Sequence, residues 1–158
     1  MLLTPHTLVG IAVAVSVKEP LIAVPTSFFL HFLGDLVPHW DFCIESEEGK
    51  TDPYYPLKVI ADLSIGVGIG LFFTLLTLWV IKDPLLSINV FLCGIASVLP
   101  DAITGPAIFN KEKKGIPYIM MKIQHIVHFP ARPPWGVISQ IVVSLSCLIL
   151  ILHSLELL

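Results

Sequence analysis

The chain has 158 residues, 55% of them hydrophobic and 13% charged, with a mean hydropathy of +0.87 and a formal net charge of −3. A soluble domain carries about 25% charged residues, so the composition excludes an ordinary water-soluble globule and indicates a single integral membrane domain covering residues 1–158. The slightly acidic balance leaves no basic footprint for a nucleic-acid partner.

The elements are predicted in chain order as follows. Residues 5–17 form a short apolar helix, with Thr4 as N-cap and Pro5 at its first position. No basic stretch or small-x-small cleavage site marks this start as a signal peptide, so a retained helix is expected. Lys18-Glu19-Pro20 breaks it, and residues 21–37 return to the starting side. A spanning helix needs about 20 apolar residues, so these two segments are short and leave a tilted or partly re-entrant hairpin open. Residues 42–55 carry Glu45, Glu47, Glu48 and Asp52 with Gly49 and Pro53, a polar loop. A long helix covers 56–81, Lys82-Asp83-Pro84 makes a turn, and a further helix covers 85–109, interrupted at Pro100-Asp101. Residues 116–129 read as a short interfacial helix. Pro133-Pro134 precedes a last span over 135–155.

The expected fold is therefore all-α: a polytopic membrane helical bundle of five membrane segments plus one interfacial helix. Lys50, Lys58, Lys111, Lys113, Lys114, Lys122 and Arg132 fall on one side of it, and Lys18 and Lys82 on the other. The positive-inside rule then places the N-terminus and both long loops in the cytoplasm. Cys43, Cys93 and Cys147 form no CxxC pair, so neither a zinc knuckle nor a disulfide framework is expected. Gly66 and Gly70 make a small-xxx-small face for close helix contact.

The ionisable residues converge on that same side. His31 and Asp35 share one helix face, and His39 and Asp41 follow just beyond Pro38. Asp62 lies about two turns into the long helix, Asp101 closes the next one, and His125 and His128 sit in the interfacial segment. His6 opens the first helix; only His153 falls at the far end, as an interfacial residue. Asp35 and Asp101 stand at helix C-termini, where the dipole disfavours a carboxylate, so each needs a cation, a proton or a donor network. Imidazole and carboxylate together suit a borderline divalent metal such as zinc, manganese or iron. His31, Asp35, His39, Asp62, Asp101, His125 and His128 are the candidate ligands, enough for one or two ions. Asp41 or Asp62 is the candidate general base. Gln124 and Gln140 are candidates to orient ligands through hydrogen bonds.

In this order, the Thr4-Pro5-His6 start, the His31-xxx-Asp35-xx-Pro38-His39-x-Asp41 element, Asp62, Leu99-Pro100-Asp101 and His125-xx-His128 resemble the bacterial inner-membrane-associated metal-dependent hydrolases, the group with LexA-regulated members. The resemblance covers most of the chain through short motifs. It implies that His6, Asp41, Asp101 and the late histidines belong to a metal or catalytic set. The chain departs from the family's His-Arg-x-x-Thr-His element, with its following Ser, and reads Gln124-His125-Ile126-Val127-His128-Phe129-Pro130.

Two further functions stay open from the residues. Acids and histidines inside a bundle also relay ions, although these cluster at one face instead of crossing the membrane. A polar core that only fixes helix packing is the third. The leading expectation is metal-dependent hydrolysis of a lipid-linked or phosphate ester at the cytoplasmic face of the inner membrane. No Gly-x-Ser-x-Gly turn supports a serine hydrolase. The sequence sets no oligomeric state.

Overall fold

The structure is a computed structural model describing residues 1–42, 53–109 and 114–157. Cys43, the acidic loop residues Glu45 to Asp52 with Lys50, and Lys111, Glu112 and Lys113 lie outside the described residues. Six helices follow in order: α1 (Leu3–Ser16), α2 (Pro20–Asp35), α3 (Tyr55–Trp79), α4 (Pro84–Phe109), α5 (Gly115–Val127) and α6 (Trp135–Ser154). Three of them, α3, α4 and α6, are long and apolar enough to cross a membrane. The helices α1 and α2, of 14 and 16 residues, fall below that length.

Helix α1 is the axis of the bundle. It packs against α2, α3, α4 and α6, while α5 packs on α4 and α2. Ile11 and Ala14 are fully buried, and Leu8, Val13 and Val15 nearly so. At 1.5 Å per residue α1 is about 21 Å long, and most of it is covered by its neighbours, although Ser16 at its last position is exposed. Buried helix ends need acceptors and donors from elsewhere, and three other helices supply them. At the start, Leu3 N–H donates to Asp62 Oδ2 at 2.6 Å and Thr4 N–H to Oδ1 at 3.2 Å. Leu2 N–H donates to Gln140 Oε1 at 2.9 Å. At the far end, Asn89 Nδ2 donates to the carbonyls of Ala14 at 3.0 Å and Val17 at 2.8 Å. The expected N-cap role of Thr4 is thus corrected. The helix begins two residues earlier, its N-cap position makes no side-chain bond, and Asp62 of α3 caps it from across the bundle.

Close packing requires glycine where α1 crosses α4. A Cβ on Gly10 would stand 2.5 Å from the Cys93 carbonyl oxygen and 2.6 Å from Ser97 Oγ. The Gly66/Gly70 face meets α1 as its spacing suggests, with Thr7 Oγ1 at 3.0 Å from a Cβ placed on Gly66. Outward-facing Leu21, Phe29, Leu71, Phe72 and Ile141 are exposed, an outer surface suited to hydrocarbon. The amphipathic α5 exposes Ile116, Ile119, Ile123 and Ile126 along one stripe, in keeping with an interfacial helix.

Replacing Gly10 by Ala is expected to lower stability by about 1–3 kcal/mol through overpacking, measured by thermal unfolding in detergent. Gly68→Ala, whose Cβ would meet nothing within 4 Å, is the control and should leave the unfolding midpoint unchanged or raised.

Candidate metal centre

The topology brings the start of α1, the end of α2, the end of α4 and the end of α5 to one end of the bundle. The antiparallel α1–α2 hairpin stacks the His6 ring on the His31 ring, centroids 3.9 Å apart and 22° from parallel. Beyond α2 the chain is pinned to the segment after α5. Phe129 N–H donates to the Asp35 carbonyl, His39 N–H to the Phe129 carbonyl, and Ala131 N–H to the His39 carbonyl. This short pairing sets His39 and Asp41 against His128.

Two groups of His and Asp side chains result, each able to hold a metal ion. In the first, one donor atom from each of His6, His31 and Asp101 lies within 4.8 Å of the others. The Asp35 carboxylate closes on the same place, with Oδ1 at 3.2 Å from His6 Nε2 and Oδ2 at 3.4 Å from His31 Nε2. Asp101 Oδ1 stands 3.5 Å from His31 Nε2. His6, His31 and Asp35 are all buried. In the second group, His39, Asp41 and His128 offer donor atoms within 4.8 Å of one another. His128 Nε2 lies 3.1 Å from Asp41 Oδ2, and the His39 and His128 rings meet edge to face at 4.7 Å.

The orientation of two imidazoles is fixed from behind. His31 Nδ1 donates to the Ser97 carbonyl at 2.8 Å, and His39 Nδ1 donates to the Val37 carbonyl at 2.8 Å. With Nδ1 donating, His31 Nε2 faces Asp35, Asp101 and Gln124, and His39 Nε2 faces the Met1 amino group; a metal-ligating histidine is likewise oriented through its other ring nitrogen. Burial, and next the nearby Met1 amino group, lower the His39 pKa to about 4, so this ring is a neutral donor at neutral pH. The Met1 amino group contacts Asp35 Oδ1 and stands 2.7 Å from His39 Nε2. A positive group therefore already sits between the two clusters. His6 Nδ1 is buried with no hydrogen-bond partner. Imidazole nitrogens of His6 and His31 flanked by the Asp35 and Asp101 carboxylates are a donor set that suits a borderline divalent ion.

Gln124 Nε2 donates to Asp101 Oδ1 at 2.6 Å and stands 3.0 Å from His31 Nε2. Gln140 ties the start of α1 to the Trp40 carbonyl, which it reaches at 2.7 Å. Two expected ligands stand apart from both groups. Asp62 turns its oxygens to the Leu3 and Thr4 N–H groups and to Thr4 Oγ1 at 2.6 Å, so capping α1, not ligation, explains this intramembrane acid. His125 is exposed on the wall of the adjoining cavity. His153 lies exposed at the opposite end of α6, as expected of an interfacial residue. The carbonyls of Ser97 and Val37 leave no mark in sequence, because any residue supplies them.

Beside the clusters opens a cavity of about 500 Å³, with Asp35, Asp41, Asp101 and Gln124 at its polar end and Leu63, Val98 and Met121 among its apolar walls. In comparisons with known proteins the chain matches no family model, no curated protein and no solved structure.

Asp62→Ala leaves the α1 donors without acceptors and is expected to cost about 1–3 kcal/mol of stability, read by thermal unfolding. Divalent-metal uptake, read by elemental analysis, should stay at the wild-type level. Uptake falling as far as in Asp35→Asn would return Asp62 to the ligand set.

Proposed function

We propose that this protein is a membrane-embedded, metal-dependent hydrolase acting on a lipid-linked or phosphate ester, in the manner of the hydrolase group its motifs resemble. The observation that carries this is the gathering of His6, His31 and Asp101, and of His39, Asp41 and His128, into two groups whose donor atoms lie within 4.8 Å of one another, beside a cavity of catalytic size. His6, His31, Asp35 and Asp101 would hold one zinc, manganese or iron ion. His39, Asp41 and His128 would hold a second.

Such an ion, when bound, supplies a Lewis acid and a water acidified towards neutrality. The chain's own groups do the rest. Gln124 holds Asp101 and keeps its carboxylate turned to His31. Asp41, paired with His128 and facing the cavity, takes the proton of the attacking water. The water oxygen bonds to phosphorus, the ester P–O bond breaks, and the leaving oxygen takes the proton from Asp41 as an alcohol departs. The apolar walls keep bulk water from the reacting ester.

In the membrane, α3, α4 and α6 would span and α1–α2 would enter and return as a hairpin, giving five membrane segments in all. Lys58, Lys114, Lys122 and Arg132 mark the site end, and Lys18 and Lys82 the other, which puts the N-terminus and the site on the cytoplasmic side of the inner membrane. Ion relay is disfavoured because every buried acid and histidine among the described residues lies at the site end.

Protein purified in detergent should carry one or two divalent ions per chain and release phosphate from an alkyl phosphate. His31→Ala and Asp35→Asn should each lower metal content and turnover at least 10-fold. Metal-free wild-type protein that stays metal-free after incubation with zinc, manganese and iron would refute the proposal.

A further inference from the structure

The substrate class and its route of entry can be taken further from the shape of the cavity. Helices α3 and α5 both pack on α4 but share no contact with each other among the described residues. The cavity is the gap between them, with Val59 and Leu63 on the α3 side, Met121 and His125 on the α5 side and Gly105 on the floor. A second, narrower space of about 100 Å³ lies between α3 and α4, past Gly66, Gly70, Val90, Phe91 and Gly94. Leu3, Leu63 and Val98 line both spaces, so the two adjoin. From Asp101 to Phe91 the groove follows ten residues of α4, about 15 Å at 1.5 Å per residue. That is half the roughly 30 Å hydrocarbon core, the depth of one leaflet.

We propose that this groove holds the single hydrocarbon tail of an amphiphile that enters sideways from the bilayer between α3 and α5. Its anionic phosphate head would then rest at the Asp101, Gln124 and His128 end. The proposal rests on the hydrolase assignment above and narrows its substrate to a single-chain lipid phosphate. Three observations select this occupant. The walls are apolar, which suits neither a sugar nor a free phosphate ester. The inner slot is far too small for a helix of about 10 Å diameter from a second copy. The acids, histidines and Gln124 all line the wider space, and Thr7 is the one polar side chain among those lining the inner slot, so head and tail of an amphiphile have separate places. Gly94 is the narrow point of the design: a Cβ there would meet nothing within 4 Å, so a larger side chain would occupy the slot without striking the protein.

The test uses the full chain in nanodiscs and a dodecyl phosphate carrying a diazirine near the chain end. After photolysis, adducts are mapped by mass spectrometry and metal is measured in parallel. Wild-type protein should be labelled at buried groove residues such as Thr7 and Val90. Excess dodecyl phosphate should suppress labelling at least 10-fold, and butyl phosphate or inorganic phosphate should not. Gly94→Leu should lose groove labelling at least 10-fold while keeping metal content and helix content by circular dichroism. Gly105→Leu, at the wide end of the cavity, is the second variant should the first fail to fold, with the same result expected. Labels spread over outward residues such as Ile141 and Leu145, labelling unchanged in the folded variant, or α3 of a second copy cross-linked into the gap would each overturn the proposal. Groove labelling of a protein that never takes up metal would keep the tail slot and refute the hydrolase assignment alone, so the two failures are distinguishable.

Discussion

A 14-residue helix buried at the centre of a bundle is the constraint from which the site follows. Helix α1 is too short to reach both surfaces of a bilayer, so its free N–H and C=O groups end among other helices. Leaving them unpaired in a dry interior costs on the order of 1–3 kcal/mol each. Asp62, Gln140 and Asn89 therefore converge on it from α3, α6 and α4. The same shortness draws the start of α1 inward, and His6 with it, onto His31 and Asp35 at the end of α2. The polar centre is thus built where a helix end had to be satisfied in any case.

Asp35 and Asp101 then face the opposite problem. Asp35 is the last residue of α2, where the dipole repels a carboxylate; Asp101, expected to close its helix, instead lies inside α4, which runs on to Phe109, so its difficulty is an acid within an apolar helix and not a helix end. Their neighbours are imidazoles, an amide and, for Asp35, the Met1 amino group. A buried charge with such partners is stable, and removing one partner leaves the rest exposed to the full cost of burial. Groups held this way are rigid before any ligand arrives, the preorganisation that catalysis and metal selection need.

Much of this was legible in the sequence because it rests on local patterns. Apolar run lengths identify the three long helices, and the i, i+4 spacing of His31 and Asp35 puts them on one face. The basic and aromatic stretch after the fourth helix predicts a short helix over 116–129, and α5 forms there. What stayed hidden depends on three-dimensional neighbours. Asp62 looks like any intramembrane acid, and only the position of α1 shows that its oxygens are engaged by Leu3 and Thr4. The backbone pairing that joins His39 to His128 involves no side-chain signature. The central position of α1 follows from four helices packing around it; the apolar run alone predicts only a short helix, because hydropathy does not distinguish a protein interior from lipid.

The central claim is that imidazole nitrogens from His6 and His31, together with Asp35 and Asp101, bind one divalent ion. X-ray absorption spectroscopy of the zinc-loaded protein tests it most directly. The expected spectrum shows nitrogen or oxygen ligands at about 2.0–2.1 Å with imidazole outer-shell scattering, and that scattering diminishes in His31→Ala. A first shell of oxygen alone, without imidazole scattering, or a spectrum unchanged by His31→Ala, would contradict it.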